Sequence, residues 1–372
     1  MDAKKMHAKD PMREKLASVV RAECGREPDA IEPIAAGLGT RHFYRVRFAE
    51  GEPATLIARV EAESDSQSGS GETEPPAWLP EPPLEPLRTF LEAAGLPVPR
   101  SYANLPEHGI DLLEDVGDRT LKDANESARN DLYREACSLI PRLQQLSAPP
   151  SRVPAFGRVF DRSLVETKAW KWLNWTIPGL LDRRPSPEET VAVEAAFSRI
   201  SDLLEDAPRR LAHRDFKAEN LHLVARANGQ ESDAERLVMI DIQGAFMAPP
   251  EYDLVCLLYD LQVDLDEAFI QDSFRETLPG LPDSSDLEVA TLRFDAIATV
   301  RLCKDISHLV HAARARNDLR RWHEIPRGLA LLERATGRLG HTLPEVRALI
   351  SVIQVLTGTV RSSDSSSQRG PR

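Results

Sequence analysis

The chain has 372 residues, 41% apolar and 28% charged, which fits a soluble globular protein larger than one ordinary domain core. Its 47 Lys and Arg against 59 Asp and Glu give a formal charge of −12, so nucleic acid, whose phosphates want a basic face, is not an expected partner. No apolar run approaches the ~18 residues of a membrane span and residues 1–15 carry no secretory apolar core, so no membrane partner is expected.

Residues 12–24 read as a short helix. A glycine-bearing loop, Ala36-Gly37-Leu38-Gly39-Thr40, follows. The β-like runs 43–48 and 54–60 flank the turn Glu50-Gly51-Glu52-Pro53 and predict a hairpin. Residues 61–83, rich in Glu, Ser and Gly and then carrying five prolines, read as a flexible insertion. A helix is expected over 84–94, stopped by Gly95, Pro97 and Pro99. The apolar strand 109–113 runs into the polar segment Glu114-Asp115-Val116-Gly117-Asp118, which reads as a hinge between lobes. From about residue 128 the chain is mainly helical, interrupted by one hairpin built from 221–225 and 237–242. Residues 292–315 place Leu302, Ile306, Leu309, Val310 and Ala313 at helical spacing. The Ser-rich tail from Arg361 is expected to be disordered. Cys24, Cys137, Cys256 and Cys303 are far apart and form no metal or disulfide pattern, which fits a reducing cytoplasm.

The segment that carries chemistry is Leu211-Ala-His213-Arg214-Asp215-Phe216-Lys217-Ala218-Glu219-Asn220-Leu221, with Asp241 21 residues beyond Asn220. Phosphoryl transfer needs a carboxylate to orient the acceptor hydroxyl and take its proton, and oxygen ligands to hold magnesium on the phosphates. A carboxylate and an amide on a loop leading into a strand can meet these needs. The hairpin brings Asn220 and Asp241 together, because the ends of paired strands are neighbours.

The pattern His213-x-Asp215-x-x-x-x-Asn220, followed by strand, turn, strand and Asp241, resembles the kinase-like superfamily. With Ile240-Asp241-Ile242-Gln243-Gly244-Ala245 and Pro249-Pro250-Glu251-Tyr252-Asp253-Leu254, the chain resembles the aminoglycoside phosphotransferase family over roughly residues 31–340. Within that family it is most similar to the bacterial N-acetylmuramate/N-acetylglucosamine anomeric kinases. Thr40 to Val46, Leu112 to Asp118 and Arg301-Leu302-Cys303-Lys304-Asp305 agree with that branch.

The resemblance implies a two-lobed α+β protein-kinase-like fold. Residues 1–117 would form a nucleotide-binding lobe with an antiparallel sheet, and residues 118–360 a mainly helical catalytic and acceptor-binding lobe. It implies ATP and magnesium as cofactors, Asp215 as catalytic base, and Asn220 and Asp241 as metal ligands. His213 would support the loop and Asp253 would anchor it. The backbone from Leu113 through Asp115 to Val116 would receive adenine, and Gly37, Gly39, Thr40 and Arg41 would cover the phosphates.

Several residues keep two readings. The third-strand lysine of kinases has no clear match. Arg59 either substitutes for it or is a strand-edge surface residue. Lys217 is a phosphate contact near the reacting group or a solvated charge. Trp170, Trp172 and Trp175 are packing residues or a sugar platform. Glu85 and Glu92 either pair with Arg59 or line a solvated helix face. Only twelve residues separate Asp241 from Asp253, too few for the platform on which a protein kinase docks a peptide. The expected acceptor is therefore a small molecule, an amino sugar first. An aminoglycoside, another hydroxylated metabolite, and a regulatory pseudokinase without turnover stay open.

Overall fold

Helix α1 (Pro11–Cys24) begins where the Asp10 side chain accepts the Met12 amide at 3.1 Å and Pro11 opens the first turn. It ends at Gly25, whose φ of 65° is the left-handed conformation that glycine takes without strain. This computed structural model describes residues 10–34, 41–61, 81–225, 235–283 and 286–367. They fall into two compact units, one from residues 10–61 with 97–118 and one from 81–96 with 119–367.

The first unit is α1 with an antiparallel sheet of β1 (Ala30–Pro33), β2 (His42–Arg47), β3 (Thr55–Val60), β4 (Ser101–Leu105) and β5 (Ile110–Glu114), in the order β1-β2-β3-β5-β4. The expected hairpin is β2–β3, with Tyr44 opposite Ala58. Tyr44, Val46, Leu56, Ala58, Ile110 and Leu112 join Leu16 and Val20 of α1 in the buried core. β1 and β4 were not anticipated. They are the two edges, and an edge strand tolerates Pro33 and carries a weak alternation. β3 lies inside the sheet, which corrects the strand-edge reading of Arg59. Gly37, Gly39 and Thr40 lie outside the described residues, as do 62–80 of the insertion.

The second unit contains α2 (Leu84–Ala93), α3 (Glu126–Gln144), α4 (Arg162–Lys171), α5 (Ile177–Leu181) and α6 (Pro187–Glu205). It continues through β6 (Arg210–Ala212), β7 (Leu221–Ala225), β8 (Glu235–Met239) and β9 (Phe246–Ala248). It closes with α7 (Tyr252–Leu258), α8 (Glu267–Thr277), α9 (Leu287–Arg316), α10 (Ile325–Thr342) and α11 (Val346–Ser367). α2 groups here and not with the sheet that precedes it in sequence, and Phe90 meets Phe156 edge-on at 5.7 Å. A single π-helical turn, Trp172–Thr176, joins α4 to α5.

The expected hairpin is β7–β8, with Leu221 opposite Met239. A second pair, β6–β9, escaped the sequence reading because each strand has only three residues, too short for a period-two signal. α11 runs to Ser367, so residues 361–367 of the tail expected to be disordered are helical, and residues 368–372 lie outside the described residues. Residues 361–367 contain no Pro or Gly to break a helix that the buried Val360 anchors, and a weak propensity alone does not end one.

Candidate active site

β6 delivers the chain into the loop His213–Lys217, and a 3₁₀ turn, Ala218–Asn220, hands it on to β7. Two buried acids pin this loop by its amides. Asp253, in the first turn of α7, accepts the N–H of His213 at 2.7 Å and of Arg214 at 3.1 Å. Asp260 accepts the N–H of Ala218 at 2.9 Å. His213 is buried and its Nε2 lies 2.9 Å from the Ile240 carbonyl. Burial lowers its pKa, so the imidazole is neutral and that nitrogen donates. His213 thereby ties the loop to the end of β8, next to Asp241.

Arg214 adopts φ 83°, which costs a non-glycine residue energy and persists only where the surroundings fix it. Here they do. Its carbonyl accepts from Arg301 Nη1 at 2.8 Å and from Cys256 Sγ at 3.3 Å, and its guanidinium donates to Glu81 at 3.0 Å. A Cβ on Gly244 would stand 3.2 Å from Arg214 Nη1 and 3.5 Å from Glu81 Oε1, so a larger residue there would press on the Arg214 guanidinium.

The strained turn presents the Asp215 carboxylate. Its Oδ1 accepts from Arg301 Nη1 at 3.0 Å and from Lys304 Nζ at 3.2 Å, both on α9. Burial pushes its pKa up, but Lys304, Arg301, Lys217 and Arg214 together outweigh that and hold it well below the usual carboxylate range. Arg301 and Lys304, which the resemblance singled out, are thus spent on Asp215. Asp305, one position on, also pairs with both and is held at about 2, where burial is outweighed by Arg301 and Lys304.

Asn220 Nδ2 donates to the Asp215 carbonyl at 2.8 Å, which fixes the amide orientation and turns Oδ1 the other way. The Ile240 N–H meets the Asn220 carbonyl at 3.0 Å, so Asp241 follows directly from the strand beside Asn220. Asp241 sits at φ 59°, and Gln243 Nε2 holds its Oδ1 at 2.5 Å. Desolvation and then the Asp215 and Glu81 carboxylates push its pKa up, which is the setting of a carboxylate that a cation would satisfy. Magnesium is commonly held by one or two protein oxygens plus phosphate, so an amide and a carboxylate suffice. Lys217 pairs with Glu219, which lies 3.7 Å from Arg321. The structure thus gathers Asp215, Lys217, Asn220 and Asp241 on one loop and strand end.

The remaining expected site residues are in the first unit. Arg59 is buried and pairs with Asp111 and Glu61, each at 2.5 Å, while Asn104 holds Asp111 at 2.6 Å. Arg41 lies 3.4 Å from Glu61. Asp115 and Asp118 both receive Arg45, so the Asp115 side chain is structural, and Leu113 pairs across to Ile57 in the sheet. Neither Glu85 nor Glu92 pairs with Arg59; both pair with Arg88 of their own helix, Glu92 on an exposed face and Glu85 partly buried.

Other groups at the site went unread in the sequence. Arg158 Nη1 donates to the carbonyls of Gly244 at 3.1 Å and Ala245 at 3.2 Å and so fixes the chain after Asp241. Lys168 and Lys171 on α4 are buried, and Lys171 Nζ lies 2.9 Å from His308 Nε2 on α9. Trp172 is fully buried packing, whereas Trp175 stacks on His311 at 4.1 Å. Lys168 carried a legible signal: it shares a helical face with Val165 and Trp172, both buried, and a lysine on an apolar face is unusual.

A model of the phosphotransferase enzyme family matches residues 30–287. The N-acetylmuramate/N-acetylglucosamine kinase of Pseudomonas putida is 26% identical over 289 residues, covering 73% of this chain and 80% of the relative. The ADP-bound aminoglycoside phosphotransferase APH(2'')-Ib matches with a TM-score of 0.52 at 14% identity, covering 87% of this chain and 97% of its own. Choline kinase LicA from Streptococcus pneumoniae matches with a TM-score of 0.51 at 15% identity, covering 89% and 100%. The expected α+β kinase-like fold, an antiparallel sheet followed by a mainly helical part, is borne out. Among the described residues no helix is long and apolar enough to cross a membrane.

Proposed function

This chain belongs to the phosphotransferase enzyme family, and from that premise we propose that it is an ATP-dependent kinase that phosphorylates a hydroxyl of a small amino sugar. The observation that carries the small acceptor is the use made of the segment from Asp241 to Asp253. It is consumed by the 3₁₀ turn Ile242–Gly244, by β9 paired to β6, and by the start of α7. That leaves no free length on which a peptide could lie. The named amino-sugar kinase relative supports the sugar.

Asp215 orients the acceptor hydroxyl and takes its proton as the new O–P bond forms and the bridging P–O bond of ATP breaks to release ADP. Because Arg301 and Lys304 keep the carboxylate ionised, orientation is its first task. Lys217 faces the transferred phosphate in this reading. Asn220 and Asp241 would hold magnesium, which would neutralise charge on the phosphates. Adenine would bind the backbone from Leu113 to Val116, and the phosphates would take the loop from Gly37 to Arg41. Arg59 would reach a phosphate only by giving up Asp111 or Glu61, so it ranks behind that loop.

The test is acceptor-dependent ADP release with N-acetylmuramate, N-acetylglucosamine, kanamycin, choline and a generic protein substrate. Turnover is expected with one or both N-acetylated sugars. Turnover confined to kanamycin or choline would overturn the sugar while leaving a kinase.

A further inference from the structure

Lys168 has 8% of its surface exposed, and among the described residues its ammonium has no hydrogen bond and no ion pair. The buried arginines of the second unit are answered: Arg88 by Glu85 and Glu92, Arg293 by Glu251, and Arg301 by Asp215 and Asp305. Burying an unanswered charge costs stability, and a methionine of similar length would fill the same space without that cost.

The neighbours of Lys168 are cationic as well. Lys171 follows one turn later on α4, and its Nζ is 2.9 Å from His308 Nε2 and 5.1 Å from the Trp175 ring. His308 follows Lys304 by one turn on α9, and Lys304 touches Asp215 at 3.2 Å. Burial first, and then Lys304, Lys171, Arg214 and Arg301, disfavour the charged form of Lys168. The two nearby acids, Asp215 and Asp305, are both engaged by Arg301 and Lys304.

The surroundings of Asp215 therefore differ in sign from side to side. Asp241 feels the carboxylates of Asp215 and Glu81 and suits a metal cation. On the side of α4 and α9, Lys168, Lys171, Arg301 and Lys304 gather about the two carboxylates Asp215 and Asp305, and both carboxylates are taken by Arg301 and Lys304.

We propose that Lys168 and Lys171 form an anion subsite beside Asp215 that takes the carboxylate of the acceptor and makes the enzyme prefer an acidic amino sugar over its neutral counterpart. This rests on the kinase reading above and names the chemistry of its acceptor. A carboxylate there would accept charge-assisted hydrogen bonds from both ammonium groups, whereas a polycationic aminoglycoside would meet like charge.

The experiment measures calorimetric affinity and KM for N-acetylmuramate, which bears a carboxylate, and for N-acetylglucosamine, which does not. It compares the wild-type chain with Lys168→Met and Lys171→Met. The wild type should prefer N-acetylmuramate by at least ~10-fold, and each variant should lose most of that preference. Lys168→Met should also melt at a higher temperature, since it removes a buried amine that has no partner among the described residues. Equal affinities in the wild type would overturn the subsite, as would a preference that survives both substitutions or a Lys168→Met variant that loses ATP affinity instead. If either variant fails to fold, the other carries the comparison. The two readings also separate. Phosphorylation of N-acetylglucosamine with rejection of N-acetylmuramate would sink the subsite and spare the kinase. Lysine-dependent N-acetylmuramate binding without ADP release would do the reverse.

Discussion

Arg59 in the sheet of the first unit and Lys168 on α4 of the second are both buried cations, 3% and 8% exposed, in opposite circumstances. Arg59 has two carboxylates at 2.5 Å, and one of them is itself held by Asn104. Arg45 in the same unit is met by Asp115 and Asp118. Beside Asp215 the pairing is different: among the described residues Lys168 has no acid, and Lys171 lies against a neutral imidazole. A satisfied buried pair adds rigidity and little else, and an unsatisfied one persists against its cost only where something other than stability maintains it. The contrast separates structural charge from charge available to a ligand more sharply than net charge, which at −12 would have argued against a basic pocket altogether.

The largest expected effect breaks the chemistry. Asp215→Asn should lower turnover by at least ~100-fold. The fold should survive, because Asp305 remains to answer Arg301 and Lys304 at 3.4 Å and 3.3 Å. Steady-state kinetics with circular dichroism on the same preparation checks both halves. Activity above about a tenth of wild type would mean that another group receives the proton.

A smaller effect tests the satisfied side of the contrast. Asp111→Ala leaves Arg59 buried with only the half-exposed Glu61, and should cost about 3 kcal/mol in denaturant unfolding. Lys168→Met should move stability the other way. If Asp111→Ala cost less than about 0.5 kcal/mol, the paired and unpaired cations would not differ as described.

The sequence made the reacting groups legible and hid their supports. Spacing alone placed Asp215, Asn220 and Asp241 together, because a hairpin joins them and a hairpin is a local object. The groups that hold them come from elsewhere: Glu81 from before α2, Arg158 from before α4, Asp260 from after α7, and Arg301 and Lys304 from α9. Such partners are assembled by packing, and no window of sequence shows them. Arg59 was misread for the same reason. A strand of six residues looks alike at an edge and in the middle until β5 returns from 50 residues later to cover it. Asp253, whose anchoring role came from the family resemblance, holds the loop from the first turn of α7.

The smallest effect concerns pH. Burial would raise the Asp215 pKa, and Lys304 is the foremost of the cations that reverse this, ahead of Arg301, Lys217 and Arg214. The folded value thus lies below the unfolded one, roughly 3.9. The stabilisation from this carboxylate is therefore complete above that value and is lost as pH falls through the folded value. In the wild type, no acid limb of kcat/KM in the range above about pH 5 should belong to Asp215. Lys304→Met removes the foremost cation and lets burial count for more, so the carboxylate should titrate higher than in the wild type. The acid limb should rise with it, and the stability lost at neutral pH should shrink as the solution is acidified. N-acetylglucosamine is the acceptor for this measurement, since it has no carboxylate of its own to titrate or to engage the lysines. A profile superimposable on the wild type would show that Arg301, buried and bonded to both the Arg214 carbonyl and Asp215, sets the carboxylate by itself. Lys304 would then belong with Lys168 and Lys171 on the side that serves the acceptor.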